Sequence, residues 1–351
     1  MAEEEILQPE EVHRFAREVL DALGMPDEDA SIVADSMLWT ALNGRITHSL
    51  IRLIMLADAA RAGTLSLTTD WTPVRIWGAT VVMDARSTWG MLAGARGMRH
   101  AIANAKKVGV GITSVRNCEN TGALSWYTSL ALDEQLIGMA ISNTLPLMPL
   151  WGGARKLIGN QPMSFAVPAG ERDPLVIDQM LAMERLNVLR DAARDGTQLP
   201  PGVIVDAAGR PTTAGSSYAD GGAVLPMGKH RGGSLALMFE VLTGLLAGGL
   251  MLDEIGVPSE KYGASLYLMV IAPAAFADSV EDFLARVDRL IDRVHAAQPA
   301  PGVERVRVPG DERAALARQR AQDGIPFAAD DVERLHKFAA ELGVPWPSDA
   351  R

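Results

Sequence analysis

Apolar residues return at every third or fourth position near the amino terminus, as Val12, Phe15, Val19, Leu20 and Leu23 do, which is the period of a helix with one buried stripe. Gly24 and Pro26, with acids after them, separate this helix from a second, and a third is predicted over 47–62, stopped by Gly63. The carboxyl end has the same texture. A charged helix opens at Gly310-Asp311-Glu312 and runs to about Asp323, and another covers 330–342 before Gly343 and Pro345. Between residues 73 and 308 the pattern changes to short β-rich runs at 79–83, 109–115, 137–142, 164–167, 175–177 and 266–271. Helical stretches over 91–107, 179–195, 235–246 and 280–296 alternate with some of them. The fold class read from this order is α/β (α+β). A helical domain from both termini, 1–70 plus 305–351, encloses a central sheet domain over 71–304.

Length agrees, since 351 residues correspond to about two domains at roughly 150 residues each. With 48% hydrophobic and 22% charged residues the chain can bury a large core, which excludes a disordered protein. A formal charge of -10 repels phosphate backbones and anionic lipid, so neither nucleic acid nor membrane is an expected partner. The acidic residues at positions 3–5 stand where a signal peptide is basic, and a cytoplasmic location is expected. The most apolar stretch, 234–252, carries Glu240 and is read as a buried core helix rather than a membrane span. Cys118 is the one cysteine, so a disulfide, a thiolate zinc site and an iron-sulfur cluster are excluded within the chain. Redox chemistry then requires a diffusible cofactor.

The long glycine- and proline-rich segment 196–233 is the kind of loop that usually serves a function. No GxGxxG follows a strand, and Gly90, Gly94 and Gly97 have the wrong spacing and lie in a helical pattern, so the Rossmann fingerprint is absent. Phosphate-loop, HExxH and GxSxG motifs are absent too. Of the histidines, His13, His100, His295 and His336 fall in charged amphipathic helices and read as surface imidazoles. His48 differs. It lies at a loop-to-helix junction with Thr47 as candidate cap, and Arg52 follows one helical turn later, so the two side chains share a face. A guanidinium suits a carboxylate and an imidazole suits proton transfer, a pairing able to hold and protonate a 2-oxo acid; a solvated helix start is the structural alternative. Lys229, His230 and Arg231 stand against Gly228 and Gly232 just before an apolar helix, where free amides and close backbone approach favour a phosphate. Thr144 and Asn160 lie in polar loops at strand ends, and Asp178 closes a strand, either to accept ribose hydroxyls or to cap the next helix.

Taken in order, these pieces resemble the malate/L-lactate dehydrogenase family, which is distinct from the Rossmann-type lactate dehydrogenases and includes sulfolactate, ureidoglycolate and diketogulonate enzymes and cyclic imine reductases. The family's SHGxxR resembles Thr47-His48-Ser49-Leu50-Ile51-Arg52 and its GTNP resembles Gly159-Asn160-Gln161-Pro162. Its HKGxGLAL resembles His230-Arg231-Gly232-Gly233-Ser234-Leu235-Ala236-Leu237, and a late PGE followed by Gly-Ile-Pro resembles Pro309-Gly310-Asp311 and Gly324-Ile325-Pro326. The resemblance implies a non-Rossmann nicotinamide-binding fold, NAD or NADP as cofactor, a small carboxylate substrate and a homodimer. It implies cofactor contacts at Thr144, Asp178, Lys229, His230, Arg231 and Gly232, and substrate contacts at Arg52, Thr47 and Asn160. His48 takes the acid/base position.

The chain departs from the pattern where the family has SNHxG, because Asn120 in Asn117-Cys118-Glu119-Asn120-Thr121-Gly122 falls at the histidine. An amide donates hydrogen bonds but does not shuttle protons near neutral pH. Asn120 is therefore read as orienting the substrate, with His48 as proton donor, in hydride transfer to C2 of a 2-oxo or cyclic 2-imino carboxylate. The other reading is a silent homologue that binds a dinucleotide or metabolite as sensor or scaffold.

Overall fold

A computed structural model describes residues 4–68, 70–256 and 262–350. Of the amino-terminal stretch read for location, residues 1–3 lie outside them. In chain order the elements are β1 (Glu5–Leu7), α1 (Pro9–Ala22), α2 (Asp27–Leu42), α3 (Arg52–Arg61), β2 (Arg75–Trp77), β3 (Thr80–Asp84), α4 (Gly90–Val108), β4 (Val110–Cys118) and α5 (Leu124–Leu132). There follow β5 (Ile137–Ser142), β6 (Met163–Val167), β7 (Leu175–Gln179), α6 (Leu186–Asp195), β8 (Ile204–Val205), β9 (Pro211–Thr212), β10 (Ala223–Val224) and α7 (His230–Glu240). The chain ends with β11 (Ala264–Ile271), α8 (Val280–His295), α9 (Asp311–Asp323), β12 (Ile325–Phe327) and α10 (Ala329–Leu342).

The central sheet has seven strands in the order β2-β3-β4-β11-β5-β6-β7. Only β3 and β4 run parallel, joined across α4, and every other neighbouring pair is antiparallel. A Rossmann sheet is mostly parallel, so this mixed sheet gives the non-Rossmann α/β class expected from the missing fingerprint. Strand β11 enters between β4 and β5, far from both in sequence, and such long-range pairing leaves no local trace.

Helix α1 shows how the ends fold. Pro9 opens it, the Glu11 carboxylate accepts the Gln8 backbone N–H at 2.8 Å, and Val12, Phe15, Ala16, Val19 and Leu20 turn inward. They join a core that gathers Leu50, Leu53, Trp89, Phe327, Leu335 and Phe338 from both chain ends and α4. A second core lies between α4, α5 and the sheet, and a third under the loops around Ile158, Leu181 and Ile204.

Four expectations are corrected. The third helix does not begin at 47: Ile46–His48 is a 3-10 turn, Ser49 breaks it, and α3 starts at Arg52. The helix expected over 179–195 starts only at Leu186, because Gln179 still pairs with Met163 in the sheet. Helix α5 is an addition to the expected elements, since its aromatic and hydroxyl side chains carry little helical signal. The apolar stretch 234–252 is not a buried helix; α7 passes into a π-helical turn, Val241–Leu245, and leaves Leu235, Met238, Val241, Leu245 and Leu246 exposed. Among the described residues no helix is long and apolar enough to cross a membrane.

Candidate active site

His48 and Arg52 come together through a turn rather than along one helix. The His48 N–H bonds the Arg45 carbonyl at 2.8 Å and the Arg52 N–H bonds the Ser49 carbonyl at 2.8 Å, which folds the segment back on itself. Arg52 then reaches Thr47 from the other side, its Nε donating to the Thr47 carbonyl at 2.7 Å. Thr47 is exposed and does not cap α3. Among the described residues no carboxylate pairs with Arg52, so its guanidinium keeps charge to offer. The His48 ring is half-buried and, among the described residues, its Nδ1 lacks a hydrogen-bond partner. Burial first, then the Arg52 and Arg45 charges, lower the imidazole from 6.5 to about 3. This is a neutral imidazole with one ring nitrogen unpartnered.

Asp178, at the end of β7, fixes the floor beneath. Its buried carboxylate takes Arg45 Nη2 at 3.0 Å and the Ser125 hydroxyl, while the same Nη2 lies 3.0 Å from the Asp178 carbonyl. It does not cap the next helix, since α6 begins at Leu186; its Oδ2 instead accepts the Ser125 N–H in the first turn of α5 at 3.4 Å. Arg45 and Ser125 thus tie the His48 turn and α5 to the sheet. Sequence reasoning misses both, although Arg45 stands just before the histidine motif.

Thr144 and Asn160 meet directly. The Thr144 hydroxyl donates to Asn160 Oδ1 at 2.7 Å and accepts the Asn160 N–H at 3.1 Å. A Cβ at Gly159 would lie 2.3 Å from that hydroxyl, so the contact needs glycine. Backbone rungs carry the arrangement on: Leu181 N–H bonds the Asn160 carbonyl at 2.8 Å, and Met227 N–H bonds the Leu181 carbonyl at 2.7 Å. Lys229 and the start of α7 follow, so the loops around 144, 160, 181 and 228 lie side by side.

At that helix start Gly228 and Lys229 both have left-handed backbone, φ 65° and 61°. A Cβ at Gly232 would fall 1.9 Å from the Met227 carbonyl, which admits glycine alone. Lys229, His230 and Arg231 are exposed and, among the described residues, pair with no carboxylate. Between the 43–44 turn and residues 307–316, a cleft of about 420 Å³ is lined by Arg313, whose Nη1 is buried and, among the described residues, without a partner. Free cations at a helix amino end fit an anionic dinucleotide.

Asn120 is half-buried. Its Oδ1 accepts the Gly122 N–H at 3.0 Å, and its amide NH₂ remains available to donate. Gly90 allows this turn to lie on α4, since a Cβ there would meet the Glu119 and Asn120 carbonyls at 2.6 and 2.7 Å. Glu119 accepts the Tyr262 N–H at 3.0 Å. Burial, then Asp84 and Glu119, push the Cys118 thiol far up, which fits an inert buried cysteine. Of the histidines set aside, His13, His295 and His336 each pair with an aspartate at the surface.

Against known proteins, the family model described as malate/L-lactate dehydrogenase matches residues 7–336. The chain belongs to the malate/L-lactate dehydrogenase family. It is 32% identical to a (2R)-3-sulfolactate dehydrogenase (NADP(+)) of Chromohalobacter salexigens, over 93% of this chain and 96% of that one. It is 31% identical to an L-sulfolactate dehydrogenase of Methanocaldococcus jannaschii over 97% and 98% of the two chains. The solved structure of the sulfolactate dehydrogenase from that organism superimposes with a TM-score of 0.90, covering 98% of this chain and 99% of that one at 30% identity. A Delta(1)-pyrroline-2-carboxylate/Delta(1)-piperideine-2-carboxylate reductase of Pseudomonas putida is 25% identical over 93% and 95%.

Proposed function

We propose that this chain moves a hydride to or from C2 of a small 2-oxo or 2-hydroxy carboxylate, or of a cyclic 2-imino carboxylate. As a member of this family it is an NAD(P)-dependent dehydrogenase/reductase. One observation carries the reading: among the described residues, a neutral imidazole with an unpartnered, buried Nδ1 stands beside a guanidinium that no carboxylate holds. The bound dinucleotide, NAD or NADP, supplies or takes the hydride. Lys229, His230, Arg231 and the amides at Gly232 would hold its phosphates, with Thr144 in a loop alongside and Asp178 at the end of β7 as a further cofactor contact.

Arg52 clamps the substrate carboxylate by a bidentate pair, with Thr47 and Asn160 beside it. In oxidation, neutral His48 accepts the C2 hydroxyl proton. In reduction the proton returns from imidazolium, and the bound carboxylate favours that form by offsetting the charges of Arg45 and Arg52. The Asn120 NH₂ donates to the reacting oxygen, or to the nitrogen of an unprotonated imine, without exchanging protons. A protonated cyclic imine needs no acid at that step, which suits a site with one ionisable base. The test is a panel of 2-oxo acids, 2-hydroxy acids and cyclic 2-imino acids, each with NADH or NADPH and the oxidised forms. Turnover of at least one pair is expected; dinucleotide binding without turnover across the panel would favour the silent homologue.

The chain divides, on this reading, into a helical domain of residues 1–70 and 305–351 and a sheet domain of residues 71–304. A diffusible cofactor and one buried cysteine suit the cytoplasm. The exposed apolar face of α7 and its π turn suits a second copy, because Met238 at 53% and Leu245 at 49% exposure are left uncovered beside the cofactor loops. In sedimentation the protein should run as a homodimer and M238D/L245D as a monomer. A wild-type monomer at micromolar concentration would overturn the assembly.

A further inference from the structure

Glu240 closes α7 and points inward, 1% exposed, into a knot of polar side chains beneath the substrate loops. Its Oε1 accepts Asn143 Nδ2 at 3.0 Å and the Leu252 N–H at 3.2 Å, and its Oε2 accepts Gln161 Nε2. Among the described residues no cation pairs with it. Asn143 is fully engaged, since its Nδ2 also donates to the Leu250 carbonyl at 3.1 Å and its Oδ1 accepts the Ser265 N–H at 2.6 Å. Gln161 has left-handed backbone at φ 41°, is wholly buried and, among the described residues, leaves Oε1 unpartnered. A left-handed residue with a side chain persists only where its surroundings hold it, and the Glu240 contact is the side-chain hydrogen bond Gln161 has here. A Cβ at Gly244 would come within 2.9 Å of both Glu240 Oε1 and Asn143 Nδ2, so the π turn after α7 is shaped around the same carboxylate.

Asn143 directly precedes Thr144, and Gln161 directly follows Asn160. Glu240 therefore grips the two loops whose next residues, Thr144 and Asn160, face each other at 2.7 Å. A carboxylate accepts on both oxygens and donates on neither, which fits two amide NH₂ groups and a backbone N–H converging from separate loops. We infer that Glu240 is a positioning residue that sets Asn160 and Thr144 in register for substrate and dinucleotide, and this rests on the hydride-transfer reading above. It touches neither ligand. Its effect passes through Asn143 and Gln161, and a misplacement of about 1 Å in such loops costs up to ~100-fold in rate.

Three variants test the role: E240M, which keeps length and removes both acceptors; Q161E, which sets carboxylate against carboxylate; and the exchange E240Q/Q161E. In the exchange the amide brought to position 240 still accepts from Asn143 and Leu252 through its oxygen, and its NH₂ donates to the carboxylate brought to position 161. E240M and Q161E should each lower kcat/KM about 10- to 100-fold, mostly through KM for the carboxylate substrate. Amide hydrogen exchange should quicken at 142–144 and 159–161 in both. The exchange variant should regain most of the activity and the protection. Single variants with wild-type kcat/KM and wild-type exchange, or a folded exchange variant no better than Q161E, would overturn the role. Should E240M not fold, the comparison of Q161E with the exchange variant decides alone. A wild-type protein that turns over nothing in the substrate panel sinks the hydride-transfer reading instead, and the hydrogen-exchange arm still decides whether Glu240 holds the loops.

Discussion

Replacing His48 with glutamine should lower kcat/KM by about 10²- to 10⁴-fold in both directions while the affinity for dinucleotide stays nearly unchanged. Glutamine fills the half-buried position without ionising, so the loss reports proton transfer rather than a hole. On the proposed reading the size of the effect follows from Asn120 standing in for a second base, since it offers only an amide whose Oδ1 already serves its own turn. In a site with two proton shuttles one loss is partly covered, and an amide gives no such cover. Steady-state rates with fluorescence titration of NADH and NADPH make the separation. Turnover within a few-fold of wild type would remove His48 from the chemistry.

The same imidazole sets a pH signature. Lowered from 6.5 to about 3, His48 is already neutral in the free enzyme well below pH 6, so the acid limb of kcat/KM for 2-hydroxy acid oxidation should lie below pH ~5. Stability carries the matching sign. Between about 3 and 6.5 the unfolded chain binds a proton at this position and the folded chain does not, so His48 costs stability as pH falls through that window. H48Q should therefore unfold less readily in acid than wild type, as followed by denaturant midpoints across pH ~4 to ~7. An acid limb near pH 6.5 would mean an imidazole as well hydrated as in water.

Much of this is legible in the chain because local rules govern it. The stripe through Val12, Phe15 and Val19, the β-rich run at Ile137–Ser142 and the stop at Gly343 are each decided by neighbours within a few residues. What stays hidden depends on distant partners. Nothing near Ala264–Ile271 tells that it divides β4 from β5. Arg45 meets Asp178 across 133 positions, and Gln161 meets Glu240 across 79. The motif spacing brings His48 and Arg52 together correctly but for the wrong local reason, since a turn at Ser49 rather than a helix face juxtaposes them. The apolar run after Lys229 misleads for a related cause: local pattern does not separate an apolar helix that the chain's own core covers from one whose apolar side chains it leaves exposed.

Arg52→Met should lower kcat/KM for carboxylate substrates by roughly 10²- to 10³-fold, about 3–4 kcal/mol, because it leaves a substrate carboxylate without its counter-charge in a site that is partly closed to water. Arg52→Lys should recover only a fraction of this. The wild-type guanidinium is held by Nε at 2.7 Å from the Thr47 carbonyl, and of its outer nitrogens Nη1 meets the weakly accepting Met55 sulfur at 3.1 Å, so a substrate carboxylate can displace that contact for a two-toothed one that an ammonium does not reproduce. Arg52 also lowers the His48 imidazole, so R52M should shift the acid limb upward at the same time, a second readout that a purely steric defect would not give. The decisive comparison uses a substrate whose carboxylate is replaced by a neutral amide. Wild type should handle it as poorly as R52M handles the acid, and R52M should lose little further on it. An equal loss for acid and amide would place Arg52 away from the carboxylate and return the anion to another of the free cations, Arg313 first among them because its Nη1 is buried without a partner.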